Sequence, residues 1–139
     1  MQRRRKSRES ALQVLYQLNI TKQETDTALS RFQEHFSAGE EADEFLKCLV
    51  LGVINHCQEI DQLIEQYSEN WRLDRINIVD RSILRMALFE LLYCKEIPPK
   101  VTINEAIDLG KRYGSEDSGS FINGILDRIQ NEVVRKPIS

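Results

Sequence analysis

Residues 79–92 read Val79-Asp80-Arg81-Ser82-Ile83-Leu84-Arg85-Met86-Ala87-Leu88-Phe89-Glu90-Leu91-Leu92, and this stretch decides the fold. Val79, Ile83, Leu84, Ala87, Leu88, Leu91 and Leu92 recur at the helical period and form one apolar stripe. Asn77 stands where an N-cap belongs, and Asp80 falls in the first turn, where a carboxylate suits the helix dipole. The tandem Pro98-Pro99 ends the region. No period-two alternation competes with this reading.

The same period extends in both directions. Upstream, Ile60, Leu63, Ile64 and Tyr67 make one stripe, separated near Asn55-His56 from a longer one of Ala42, Phe45, Leu46, Leu49, Val50, Val53 and Ile54. The centre of the longer stripe, residues 49–54, is apolar almost all round, which predicts the buried middle of a bundle. Ala28, Leu29, Phe32 and Phe36 give a short stripe, and Ala11, Leu12, Leu15, Tyr16 and Leu18 open the chain. Downstream, Thr102-Ile103-Asn104-Glu105 reads as a capping box for a helix that Gly114 closes. Ser118 is placed to cap a last helix whose buried face is Phe121, Ile122, Ile125, Leu126, Ile129 and Val133, with Gly124 permitting a close helix crossing. The expected fold is all-α, with about seven helices.

A chain of 139 residues fits one domain, residues 1–139, able to bury roughly 68% of its unfolded surface. Residues 1–7 are expected to be a flexible basic arm, and Thr21–Thr25, Ser37–Gly39 and the tail after Val134 the other loose segments. No apolar run approaches the ~18–20 residues that cross a bilayer. The basic start leads into an amphipathic pattern rather than the apolar core of a signal peptide. Cys48, Cys57 and Cys94 are odd in number and lack CxxC spacing, as suits a reducing cytoplasm. They read as small core hydrophobes and, with His35 and His56, assemble no metal-ligand set. The carboxylates, Asp61 and Glu65 among them, are read onto exposed helix faces, and no nucleophile–base order stands out. Gly119 and Gly124 make no phosphate loop, since Ile125-Leu126 follow where Lys and Ser or Thr are required. The chain is therefore read as a non-enzyme with no catalytic residue, no metal and no cofactor.

Charge points to a different kind of function. Arg3, Arg4, Arg5, Lys6 and Arg8 bring five positive charges to the first eight residues of a chain whose net charge is −3. Basicity is concentrated at one end of an otherwise acidic protein, where a polyanion can be met locally. A second candidate is the loop Gly114-Ser115-Glu116-Asp117-Ser118-Gly119-Ser120-Phe121. Its small polar residues precede a helix N-terminus, and Phe121 could stack a splayed base. The competing readings are a solvated terminus and a capping loop with Phe121 in the core.

Several strings together carry a family resemblance. Asp80-Arg81-Ser82-Ile83-Leu84-Arg85-Met86-Ala87, Phe89-Glu90-Leu91, Ile97-Pro98, Val101-Thr102-Ile103-Asn104-Glu105-Ala106 and Phe121-Ile122-Asn123-Gly124-Ile125-Leu126-Asp127 occur in that order. With Arg4-Arg5-Lys6-Ser7-Arg8-Glu9 and Ala11-Leu12-Gln13-Val14-Leu15-Tyr16 at the start, they resemble the bacterial transcription antitermination factor NusB family. The resemblance covers nearly the whole chain, and residues 20–45 match only in character.

The resemblance implies an all-helical protein of two packed subdomains. It implies binding to the single-stranded boxA element of nascent ribosomal RNA, together with NusE, a small-subunit ribosomal protein. The pair then helps build an antitermination complex on RNA polymerase. Carried over by position, Arg3, Arg4, Arg5 and Arg8 belong to the basic arm and are expected to contact phosphates. Gln13, Tyr16, Asp117, Ser118 and Phe121 fall where further RNA contacts are expected, with Phe121 the best stacking candidate. Asp80, Arg81 and Arg85 lie on the helix that looks like the NusE-facing surface. Gly119-Ser120 stands where bulkier, often basic residues are frequent in the family.

On this reading the arm serves RNA alone, so removing Arg4, Arg5 and Arg8 leaves stability nearly unchanged. Neutralising four or five phosphates gives a salt slope of about −3 on single-stranded RNA. Two rivals stay open. One is the RNA-targeting module of an rRNA methyltransferase, which needs a long catalytic domain beyond Ser139. The other is a structural helical adaptor. Monomer and homodimer are both compatible with the sequence.

Overall fold

The computed structural model describes residues 2–18, 30, 44–68 and 72–134. Among them run six α-helices: α1 (Gln2–Leu18), α2 (Glu44–Asn55), α3 (Cys57–Tyr67), α4 (Ile78–Tyr93), α5 (Pro99–Tyr113) and α6 (Ser118–Ile129). A 3₁₀ turn, Leu73–Arg75, precedes α4, and a π turn, Gln130–Val134, follows α6. The described residues contain no strand, in agreement with the all-α reading. The short stripe Ala28–Phe36 lies outside the described residues, apart from Ser30.

Helix α4 organises the bundle. It packs against α1, α2, α3, α5 and α6, and every residue from Ser82 to Leu91 is buried. The all-round apolar stretch of residues 49–54 had pointed to α2 as the central helix. The centre is instead α4, whose polar positions go inside with partners. Arg85 lies against Asp61 of α3, with Nε donating to Oδ1 at 2.8 Å and Nη2 to Oδ2 at 2.9 Å. Asp61 is fully buried and also accepts from the Cys57 thiol at 3.4 Å, so it is not on an exposed face as its spacing suggested. A periodicity argument assigns such residues to solvent because it cannot see a charge of opposite sign arriving from another helix.

Local signals explain the helix ends, with two corrections. Asn77 caps α4 as expected, its side chain accepting from the Asp80 N–H at 2.9 Å. Helix α5 begins earlier than the capping-box reading placed it, because Pro99 occupies a first-turn position where its fixed φ favours the helix. Thr102 therefore sits inside the helix and donates to Glu90 at 3.0 Å, while Glu105 reaches Arg5. Ser118 does not cap α6 either. Its Oγ accepts from the Ser115 N–H at 2.8 Å and closes the preceding loop.

The close approach assigned to Gly124 occurs elsewhere. Gly124 has nothing within 4 Å of an added Cβ, whereas a Cβ on Gly52 would stand 2.2 Å from the Phe89 ring. Gly52 is the contact that lets α2 lie on α4. Cys57 and Cys94 are core residues as read, and burial pushes the Cys94 thiol up to about 12. Cys48 is exposed, contrary to expectation.

Candidate RNA-facing surface

The basic cluster is not a loose tail. Arg3 to Arg8 form the first turns of α1, and the arginines have different fates. Arg3, Arg4 and Lys6 are exposed. Arg4 lies over the Phe45 ring of α2, its guanidinium carbon 4.7 Å from the centroid. Arg5 makes a two-pronged contact to Glu105 of α5, at 3.2 and 2.8 Å, and keeps a half-exposed side chain. That hydrogen bonding holds the Glu105 carboxyl below the ordinary carboxylate range and raises Arg5 further.

Arg8 departs from the phosphate-contact expectation. It is 4% exposed, with Nε donating to Glu90 Oε2 at 2.9 Å and Nη2 to Oε1 at 2.8 Å. Glu90, itself buried on α4, also accepts from Thr102, so one carboxylate ties α1, α4 and α5 together. Alternation along α1 gave no warning, because Arg8 continues a run of arginines. A cleft of about 380 Å³ beside this network is lined by Arg4, Arg5, Arg8, Glu96, Ile97, Pro98, Val101 and Glu105.

Two further hollows continue from α1 toward the start of α6. The first, about 540 Å³, is lined by Gln13 and Tyr16 with Glu9, Ser10, Leu12, Val79 and Tyr113. Tyr113 was not among the residues picked out from the sequence, yet it is as exposed as Tyr16. Its hydroxyl donates to Glu9 at 2.8 Å, which raises its acidity constant and keeps it a neutral donor. Arg112 reaches the same carboxylate at 2.6 Å. The only hint in the sequence was an aromatic residue placed directly before the helix-ending Gly114.

The second hollow, about 260 Å³, is lined by Phe121, Asp117, Ser115, Arg75, Ile76, Asn77 and Asp80. Phe121 is half-buried there, satisfying both the core and the exposed-ring readings in part. Ser118 is fully buried and turned to Ser115, so it presents nothing outward. Gly119 lies under Lys111, whose Cγ would be 3.1 Å from an added Cβ. The absence of a side chain at that position thus admits an α5 lysine beside the loop. The two hollows meet, since Val79 and Tyr113 line one while Asp80 and Ser115 line the other.

The three residues placed on a partner-facing surface separate in the same way. Arg85 is committed to Asp61 and buried, and Asp80 is 4% exposed at the floor of the second hollow. Arg81 alone keeps appreciable surface, with its pKa lowered by burial and by the neighbouring Arg85. Among the described residues, no group of three or more His, Cys, Asp or Glu could hold a metal ion, and no helix is long and apolar enough to cross a membrane.

Comparison with known proteins agrees with this geometry. Residues 5–131 match the model of the NusB family. The transcription antitermination protein NusB of Syntrophus aciditrophicus is 52% identical over 136 residues, covering 98% of this chain and 84% of that protein. The corresponding protein of Myxococcus xanthus is 49% identical, covering 91% of this chain and 93% of its own length. Among solved structures, T. maritima NusB superimposes with a TM-score of 0.77 at 40% identity, over 94% of this chain and 92% of that one. NusB from a complex of the antitermination factors NusB and NusE with double-stranded RNA gives 0.75 at 30% identity, over 94% and 98%.

Proposed function

Because the chain belongs to the NusB family, we propose that it is a transcription antitermination factor that binds single-stranded boxA-type RNA of nascent ribosomal transcripts together with NusE. It acts by assembly on RNA polymerase rather than by catalysis, and it works in the cytoplasm. The observation that carries this reading is the continuity of the surface. The exposed cations at the start of α1, the Gln13–Tyr16–Tyr113 hollow and the Phe121 hollow succeed one another along one side of α5.

Each part has a separate physical role. Arg3, Arg4 and Lys6 attract phosphates without reading sequence. Tyr16, Tyr113 and Phe121 offer ring faces to unstacked bases, and Gln13 and Asp117 offer polar groups to base edges. Arg8 acts indirectly, by holding the first turns of α1 against α4 and α5. For the NusE contact, Arg81 is the outward group of its helix, with Arg85 and Asp80 supporting that surface from inside.

The test is a gel shift with boxA and scrambled RNA, with and without NusE, over a range of salt. Preferential retention of boxA that grows with NusE supports the proposal. Equal retention of both RNAs in every condition refutes it.

A further inference from the structure

Asp80 carries a polar atom that the fold leaves unanswered. The residue is 4% exposed, and its Oδ1 is buried without a hydrogen-bond partner among the described residues. A buried carboxylate oxygen is normally satisfied, and one that is not calls for a missing donor. Asp80 lines the 260 Å³ hollow walled by Phe121, with Asn77, Ser115 and Asp117 around it and exposed Arg75 at its rim.

The chemistry of that lining narrows the occupant. Two carboxylates, Asp80 and Asp117, exclude a phosphate from the floor. Arg75 disfavours an inserted ammonium or guanidinium but suits the phosphate of a nucleotide whose base goes in. The flat wall of Phe121 suits a stacked ring. What remains is a neutral, planar group that brings an N–H donor. We infer that the hollow is a base pocket in which Asp80 Oδ1 accepts from an exocyclic amino group, so that Asp80 is a specificity-determining residue favouring amino-bearing bases over uracil. This inference rests on the RNA-binding reading and deepens it.

The experiment measures fluorescence anisotropy of the full chain with twelve-nucleotide oligocytidylate and oligouridylate at fixed salt. These bases differ in size very little but present a 4-amino and a 4-oxo group respectively. A carboxylate contact to a base donor corresponds to a preference of roughly 5- to 100-fold for cytosine. Asp80→Asn, which can donate as well as accept, is expected to bring the two affinities within about twofold. Phe121→Ala is expected to weaken both by a similar factor, since stacking tolerates any base. An oligonucleotide of pyrimidin-2-one riboside, lacking the 4-amino group, should bind the unaltered protein as weakly as oligouridylate. This last arm needs no variant to fold.

A wild-type protein without preference, an Asp80→Asn variant that keeps the preference, or tight binding of the pyrimidin-2-one oligonucleotide overturns the inference. If Asp80→Asn spares the RNA preference and loosens only the NusE complex, the hollow receives a partner side chain and the base pocket is refuted. If the wild-type protein binds neither oligonucleotide at any salt, the RNA reading itself fails, a result distinct from binding without preference.

Discussion

Replacing Arg8 by alanine is expected to destabilise the protein severely, although Arg8 sits in the most solvent-like stretch of the sequence. The structure sets the magnitude. Arg8 and Glu90 are both nearly fully buried and joined by two hydrogen bonds of 2.9 and 2.8 Å. Removing the guanidinium leaves Glu90 ionised in the core with only the Thr102 hydroxyl as a described donor. Breaking a buried pair from one side costs about 3–5 kcal/mol. For a domain of this size that is a fall in Tm of roughly 10–15 °C. The assay is thermal melting by circular dichroism at neutral pH, with Arg4→Ala as the exposed control, expected within about 0.5 kcal/mol of the parent. Replacing both Arg8 and Glu90 by apolar residues of similar volume is expected to recover much of the loss, because no charge is left unpaired. An Arg8→Ala protein melting within about 2 °C of the parent would show that the pair contributes little and refute the reasoning.

Three other outcomes follow from the same contacts. With Arg8 buried, the exposed cations at the start of α1 are Arg3, Arg4 and Lys6, with Arg5 shared with Glu105; the salt slope on single-stranded RNA should then be nearer −2 than −3, about −0.7 per phosphate. Arg3→Ala with Arg4→Ala should reduce that slope by about 1.4, and an unchanged slope in a titration against salt would contradict phosphate contact there. Glu105, held below its ordinary value of 4.5 by the hydrogen bonds from Arg5, stabilises the docked α1 at neutral pH, and that contribution disappears as pH falls through its lowered value; Glu105→Gln should melt with a flatter acid limb, and identical limbs would rule the pair out. Gly52→Ala gains at most about 1 kcal/mol of helix propensity, but its Cβ meets a Phe89 ring that is itself buried, so overpacking of about 1–3 kcal/mol should dominate and lower the melting temperature.

Much of the fold was legible because helices announce themselves locally. The stripe at Val79–Leu92, the cap at Asn77, the break at His56 and the end at Gly114 each depend on a few neighbouring residues, and each is where it was expected. The misreadings share one cause. Arg8, Asp61, Arg85 and Glu90 are ionic residues whose burial depends on a partner 24 or 82 positions away. Thr102 and Glu105 formed a plausible local box, yet each bonds across helices instead. For the candidate surface, Phe121, Tyr16 and the arginines were visible as residue types, whereas Tyr113 and the sharing of one hollow by Asp80 and Phe121 were not.

The sequence by itself determined that the chain is helical, that its positive charge is gathered at one end, and that it resembles one family along nearly its full length. Those properties are short-range or compositional, so they survive without coordinates. Only the tertiary structure decided which charges are offered to a ligand and which are consumed in holding the bundle together. The physical reason is that an ion's cost depends on its surroundings. The same guanidinium that attracts a phosphate in water becomes a structural tie once a carboxylate from another helix meets it away from water.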